Sequence, residues 1–241
     1  MAGALKWHES GKKYFEGGVS KVALYPMSGS TYGTGVAWNG VTAINENPSG
    51  ADITDLYADD EKYASLQAAE KFGFSIEAYQ SPAEFDQCDG SAEANGAAGV
   101  YLGQQSRKAF GLVYKTKIGS DTNPGMDADY KLHIIYNSLA SPSGRQYQTI
   151  NENPDAMTMS WDCNSTPEAV TIKDADGKNY KSVSTIAIDS RKFKNADKDK
   201  LTQLENYLYG TDGEQGAQGT DPRLLKPDEV INLIKTGSIT G

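Results

Sequence analysis

Histidine and cysteine are nearly missing from this chain. Its 241 residues include two histidines, His8 and His133, and two cysteines, Cys88 and Cys163. The cysteines lie far apart with no CxxC spacing, which excludes a disulfide framework and a zinc knuckle. So few imidazoles leave little from which to build a nucleophile and its base. His8 lies in an N-terminal stretch expected to be mobile, and His133 sits inside an apolar strand, where a histidine is usually a satisfied structural residue.

Catalytic and binding signatures are also missing. There is no GxSxG elbow and no HExxH. Gly33–Gly35 reads GTG, but Trp38 stands where a dinucleotide fingerprint needs its third glycine. Asp174–Gly177 (DADG) resembles part of a calcium loop, yet alignment on Gly177 puts Ile172 and Val183 at the first and last ligand positions. Carboxylates such as Asp59, Asp60 and Glu61 cluster on what reads as a solvated loop, a poor setting for a glycosidase pair. The expectation is a protein that is not an enzyme, with no cofactor and no metal site.

Long apolar runs are absent too. Nothing approaches the roughly 18 residues that span a bilayer, and the opening MAGALKWHESGKKYF has no apolar core of a signal peptide, so a reducing cytosol is the expected place of synthesis. Asn164–Thr166 matches the glycosylation pattern but means little without secretion. Positive charge is in deficit: the formal net charge is -9, which argues against binding nucleic acid through its phosphates. An acidic surface suits a wall past which DNA must slide without sticking.

What is present is strand. Tyrosine (14) far outnumbers phenylalanine (6), as befits strands with one polar face or edge. Ser20–Pro26 alternates and is expected to stop at Pro26. Gly35–Ile44 carries Asn39-Gly40 at its centre, the signal of a two-residue hairpin. Phe72–Tyr79 alternates cleanly, and Arg107–Ile118, Asp129–Leu139, Ala156–Cys163, Glu168–Asp174 and the SVSTIAID stretch ending at Asp189 continue the pattern. A short helix is expected over Ser81–Asp89, with Ser81 as N-cap, Pro82 in the first turn, Glu84 closing a capping box, Gly90 as the stop, and Phe85 and Cys88 buried. A long connection, residues 45–71, holds the acidic and aromatic stretch ADITDLYADDEKYASL.

After Asp189 the pattern changes. The run Arg191–Lys200 mixes basic residues with Asp197 and Asp199. Leu201, Leu204 and Leu208 then mark an amphipathic helix stopped by Gly210, followed by a Gly-rich linker and a second short helix with Pro227 in its first turn. This tail reads as an arm that docks on its own domain or on a neighbour.

The pentapeptide INENP occurs twice, at Ile44–Pro48 and Ile150–Pro154. Each copy follows an expected strand (VTAI, YQTI), and its proline forces the preceding asparagine out of helical geometry. One carboxylate and two amides make a poor metal site. Both copies read as strand terminators, the first opening the long connection and the second returning at once to another strand.

Taken together in order, YFEGGVSKVALYP, TDLYADDEKYASL, FGFSIEAYQSPAEFDQCDGS, GVYLGQQSRKAFGLVYKTKIGSD and YKLHIIYNSLASPSGRQYQTINENPDAMTMSWDC resemble the major tail (tail tube) proteins of long-tailed, siphovirus-type bacteriophages of Gram-positive bacteria. The resemblance covers roughly residues 14–190. It implies a mainly β fold, two packed sheets forming a sandwich or barrel with one flanking helix, plus a C-terminal helical arm. It divides the chain into an N-terminal arm (1–19), the tube domain (20–190) and a C-terminal extension (191–241), too short for an immunoglobulin-like decoration. The implied function is a virion protein, assembled in the host cytoplasm, that stacks as hexameric rings into the conduit for DNA ejection. Its implied partners are other copies of itself, tape measure, tail terminator and baseplate or tip proteins, with DNA passing through the lumen and no membrane. The connection 45–71 would bridge rings. Trp7, Tyr14, Phe15, Asp52, Asp55, Tyr57 and Tyr63 are the expected assembly contacts. The tube of a contractile tail or phage-like bacteriocin is the alternative within assembly. A monomeric β-sandwich that binds or cleaves carbohydrate is the alternative from another class.

Overall fold

The computed structural model describes residues 4–123, 125, 129–147, 149, 156–194, 197–213 and 218–239. Among these residues fifteen strands follow in order: β1 (Tyr14–Ser28), β2 (Thr31–Tyr32), β3 (Val36–Ala37), β4 (Val41–Glu46), β5 (Ser49–Gly50), β6 (Ile53–Ala58), β7 (Glu61–Gln67), β8 (Glu70–Lys71), β9 (Gly73–Ala78), β10 (Ala92–Glu93), β11 (Tyr101–Leu102), β12 (Phe110–Ser120), β13 (Asp129–Ala140), β14 (Met159–Ser165) and β15 (Thr185–Asp189). The described residues also form three α-helices: α1 (Asp86–Asp89), α2 (Asp197–Tyr209) and α3 (Pro227–Thr236).

Nine strands form one antiparallel ladder in the order β2-β1-β12-β13-β14-β9-β4, with β15 added to β13 and β3 to β1. The ladder folds on itself at the end of β13. There β13 pairs with β14 only through Ser138, Leu139 and Ala140, while its earlier residues, Lys131 to Ile135, pair with β15. Asn137, at φ 40°, bends the strand between these two partners. The result is a mainly β sandwich with a flanking helix, as expected.

Two cores follow from this folding. Between the layers, Val22 and Leu24 of β1, Leu112 of β12 and Ile135 of β13 meet Phe74 and Ile76 of β9, Trp161 of β14 and the short helix. Trp161 meets Trp38 and Phe85, and Phe110 meets Phe85, edge to face at centroid separations of 5.3 to 5.6 Å, while Trp38 and Phe85 lie tilted at 4.5 Å. On the outer face, Ala23, Tyr25, Val113, Leu132, Ile134 and Tyr136 meet α2 and α3. The β1, β12 and β13 layer is therefore buried on both sides, and Phe110–Lys115 is a continuous buried run.

The expected short helix is present as a tight turn over Ala83–Phe85 running into α1. Phe85 and Cys88 are fully buried, and Gly90 ends the helix at φ 82°. Its start differs from expectation: Pro82 holds the cap position, with no side-chain cap bond from Ser81. Core packing by Phe85, rather than a capping box, holds this turn in place.

Three other expectations are corrected. Pro26 does not end β1, because Met27 donates to the Ala109 carbonyl and the prolyl nitrogen therefore points away from β12, at the edge where only β2 and β3 pair. Asn39-Gly40 is a corner and not a hairpin. β3 on one side of it pairs with β1, and β4 on the other pairs with β9. Glu168–Asp174 forms only isolated bridges, Glu168 with Val183 and Lys173 with Asn179, around a turn at Asp174–Gly177.

The tail packs on its own chain. Leu201, Leu204 and Leu208 of α2 and Leu224, Leu225, Val230 and Leu233 around α3 are all buried in the outer core. Thr211 and Thr220, on either side of the Gly-rich segment, exchange backbone bonds of 3.0 and 3.1 Å. Lys115 of β12 is buried beneath α2, with its ammonium 2.8 Å from Glu205 and 4.0 Å above the Tyr130 ring. Burial pulls the Lys115 pKa down, and the bond to Glu205 opposes that. Glu205→Gln is expected to cost about 3 to 5 kcal/mol in denaturant unfolding by leaving that charge unpaired, whereas the double replacement Lys115→Met with Glu205→Leu should recover most of it.

Candidate assembly surfaces

Within residues 45–71, expected to be a long connection, residues 49–71 form a projecting antiparallel ribbon. β5 pairs with β8 at its root, and β6 with β7 along its length. The two are joined at the tip by Asp59-Asp60, both at positive φ (53° and 63°). Mirror-image turns of this kind match the twist of a two-residue hairpin. No residue from 45 to 71 is buried, and only Ala51, Asp55 and Ala64 are even half-buried.

Register decides what each face of the ribbon offers. Thr54 lies opposite Leu66 and Leu56 opposite Ala64, giving one largely apolar face. Ile53, Asp55 and Tyr57 share the other face, where Asp55 bonds Lys62 at 2.8 Å and Ser65 at 2.7 Å. Those bonds hold the Asp55 carboxyl below the usual range. Asp55 is thus engaged inside the ribbon, and Asp52 contributes its backbone carbonyl to Ala68. Tyr57 and Tyr63 are 70% and 78% exposed. Ile53, Leu56 and Leu66 are exposed as well, and they were not among the expected contacts.

The N-terminal aromatics sit elsewhere. Trp7 is 71% exposed and belongs to no strand. Tyr14 and Phe15 lie in the first half of β1, paired with Ser120 and Gly119, so the expected arm over 1–19 is already sheet from Tyr14 onward. The Arg191 guanidinium lies 4.6 Å over the Tyr14 ring. Asp121 accepts from the Gly11 amide with both oxygens at 3.1 Å, pinning the chain just before the strand. Another exposed apolar group, Val100, Tyr101 and Leu102 on the β10 and β11 hairpin, carried no sequence signal.

The first INENP copy ends β4 at Glu46 and leads straight into the ribbon. Asn47 donates to the Gly73 carbonyl at 2.7 Å, and the Asn45 side chain reaches Ser75 and Glu77 at 3.3 Å. Residues 150–155, which hold the second copy, lie outside the described residues.

Glu46 also belongs to a polar cluster between the root of the ribbon and the first half of β1. Tyr114 donates to its Oε1 at 2.7 Å. His133 stacks flat on the Tyr114 ring, centroids 4.6 Å apart and planes 3° from parallel. Its Nε2 lies 3.0 Å from Thr116 Oγ1 and 3.4 Å from Glu16 Oε1, and its Nδ1 lies 3.9 Å from Glu46 Oε1. Thr116 donates to Glu16 at 2.5 Å, and Lys131 pairs with the other Glu16 oxygen. Burial pulls the His133 pKa below its ordinary value, and the two glutamates oppose that. Burial raises the Glu16 carboxyl, but the bonds from Lys131 and Thr116 outweigh it and leave the group below its usual range.

No family model matches the chain, and no curated protein matches it. Among solved structures, it is similar to a chain of the anti-feeding prophage baseplate seen by cryo-electron microscopy, at 7% identity and a TM-score of 0.34, over 78% of this chain and 97% of that one. It is also similar to a chain of the sheath-tube complex of an extracellular contractile injection system, PVC, in the extended state. There the identity is 10% and the TM-score 0.30, over 70% of this chain and 88% of that one. Overlap this loose carries no argument about function.

Proposed function

We propose that this protein is a structural component of a phage tail or tail-derived particle, and that its copies polymerise as stacked hexameric rings into the tail tube. The supporting observation is the ribbon of residues 49–71, which carries apolar side chains on both faces and buries none of them in its own chain. A lone two-stranded ribbon is marginal in water, so stabilising this one takes contact with another chain. The exposed aromatics at Trp7, Tyr14 and Phe15 add a second adhesive segment. Among the described residues β4, at one end of the ladder, and β15, beside β13, have no second partner strand, and closing a ring would pair those edges with another copy.

The role is mechanical: it is not an enzyme and takes no cofactor. The acidic surplus of the chain lets DNA pass without sticking. The test is negative-stain electron microscopy of purified protein as its concentration is raised. Rings or hollow tubes are expected, and protomers that stay single at every concentration while binding glycans would refute the reading.

A further inference from the structure

The root of the ribbon and the first half of β1 meet at one ionisable side chain. Glu16 sits where β1 runs out toward Phe15 and Tyr14, and Glu46 ends β4 just before the ribbon. His133 of β13 lies between them. The other groups facing it are Tyr114 and Thr116 of β12 and Lys131 of its own strand, while β15 places only Ala187 opposite it. We propose that His133 is a proton-operated clamp, whose protonation draws in Glu46 and fixes the ribbon to the sheet.

The hydrogen bonds assign the neutral tautomer. Thr116 spends its one hydroxyl hydrogen on Glu16, so its 3.0 Å contact with His133 requires Nε2 to donate. That leaves Nδ1 bare, aimed at a carboxylate oxygen 3.9 Å away, with two acceptors facing each other. A proton on Nδ1 turns this opposition into an ion pair that can shorten to about 2.7 to 2.9 Å. Glu46 can make the move because it is partly exposed and, among the described residues, its side chain is otherwise bonded only by the Tyr114 hydroxyl on the same face.

The sign follows from linkage. Glu46 held close raises the proton affinity of His133, so protonation raises the hold on Glu46 by the same factor. Burial opposes protonation and sets the transition on the acid side of an ordinary histidine. Above that transition the ribbon root is looser, and below it the root is clamped. This applies to the single chain, whatever the ribbon later binds.

With only two histidines, the imidazole NMR signals can be assigned by losing one in His8→Asn. Cys88 and Cys163 are buried, so a dye placed through Glu61→Cys labels the ribbon alone. At a concentration where the protein sediments as single protomers, dye anisotropy is expected to rise as the pH falls through the His133 midpoint. Glu46→Gln keeps an acceptor for Tyr114 but removes the charge; it should lower the His133 midpoint and flatten the anisotropy change. The proposal fails if anisotropy is flat while His133 titrates, if Glu46→Gln leaves the rise unchanged, or if the neutral ring carries its proton on Nδ1.

Discussion

Replacing residues 53–67 with a short Gly-Ser turn is expected to leave a stable, folded protomer that no longer forms rings or tubes. The segment buries nothing within its own chain, so its removal costs neither core the contact of a single buried side chain. The thermal midpoint should stay within a few degrees of the wild type, since surface changes away from the core usually fall within about 0.5 kcal/mol. Assembly should fall below detection, because Ile53, Leu56, Tyr57, Tyr63 and Leu66 leave together and aromatic anchors carry most interface energy. The pair of measurements separates the alternatives. A protomer that unfolds means the ribbon supports its own domain. A folded protomer that still builds tubes means the contacts lie at the N-terminal aromatics or the sheet edges.

Truncation after Phe193 has the opposite expected outcome: no folded protein. It removes Leu201, Leu204, Leu208, Leu224, Leu225, Val230 and Leu233 from the outer core and exposes Tyr25, Val113, Leu132 and Ile134. At about 1.5 to 3 kcal/mol per buried side chain, the loss is on the order of 10 to 20 kcal/mol. Whole domains are stable by only about 5 to 15 kcal/mol. The milder Leu204→Ala should lower unfolding stability by about 2 to 5 kcal/mol while the fold survives. Far-UV circular dichroism and denaturant titration decide the matter. A truncated chain that folds cooperatively would make residues 194–241 a removable cover rather than a layer of the domain.

The local signals in the chain read through to structure where burial was one-sided. Phe74, Ile76 and Ala78 alternate with half-buried or small partners, and β9 is where the alternation puts it. Leu201, Leu204 and Leu208 have helical spacing, and the helix is there. Gly90 and Gly210 stop their helices at positive φ, because glycine alone occupies that region without strain.

What the chain alone did not determine was which element each strand would meet. Asn39-Gly40 is a sound turn signal, but a turn does not specify whether the strands on either side pair with each other, and here each found a longer partner. Pro26 lacks a donor wherever it sits, and only the neighbouring strand decides whether one is needed. The tail leucines show an apolar stripe without naming its partner; β1, β12 and β13 offered a second apolar face, and the stripe closed on it. The ribbon is the converse case, since Asp59-Asp60 is a poor hairpin signature and nothing local announces a turn. The cluster around His133 gathers residues up to 117 positions apart, from Glu16 to His133, so no sequence window contains it. Periodicity is a property of one segment, whereas pairing, burial of a second face and the meeting of distant charges are properties of the whole fold.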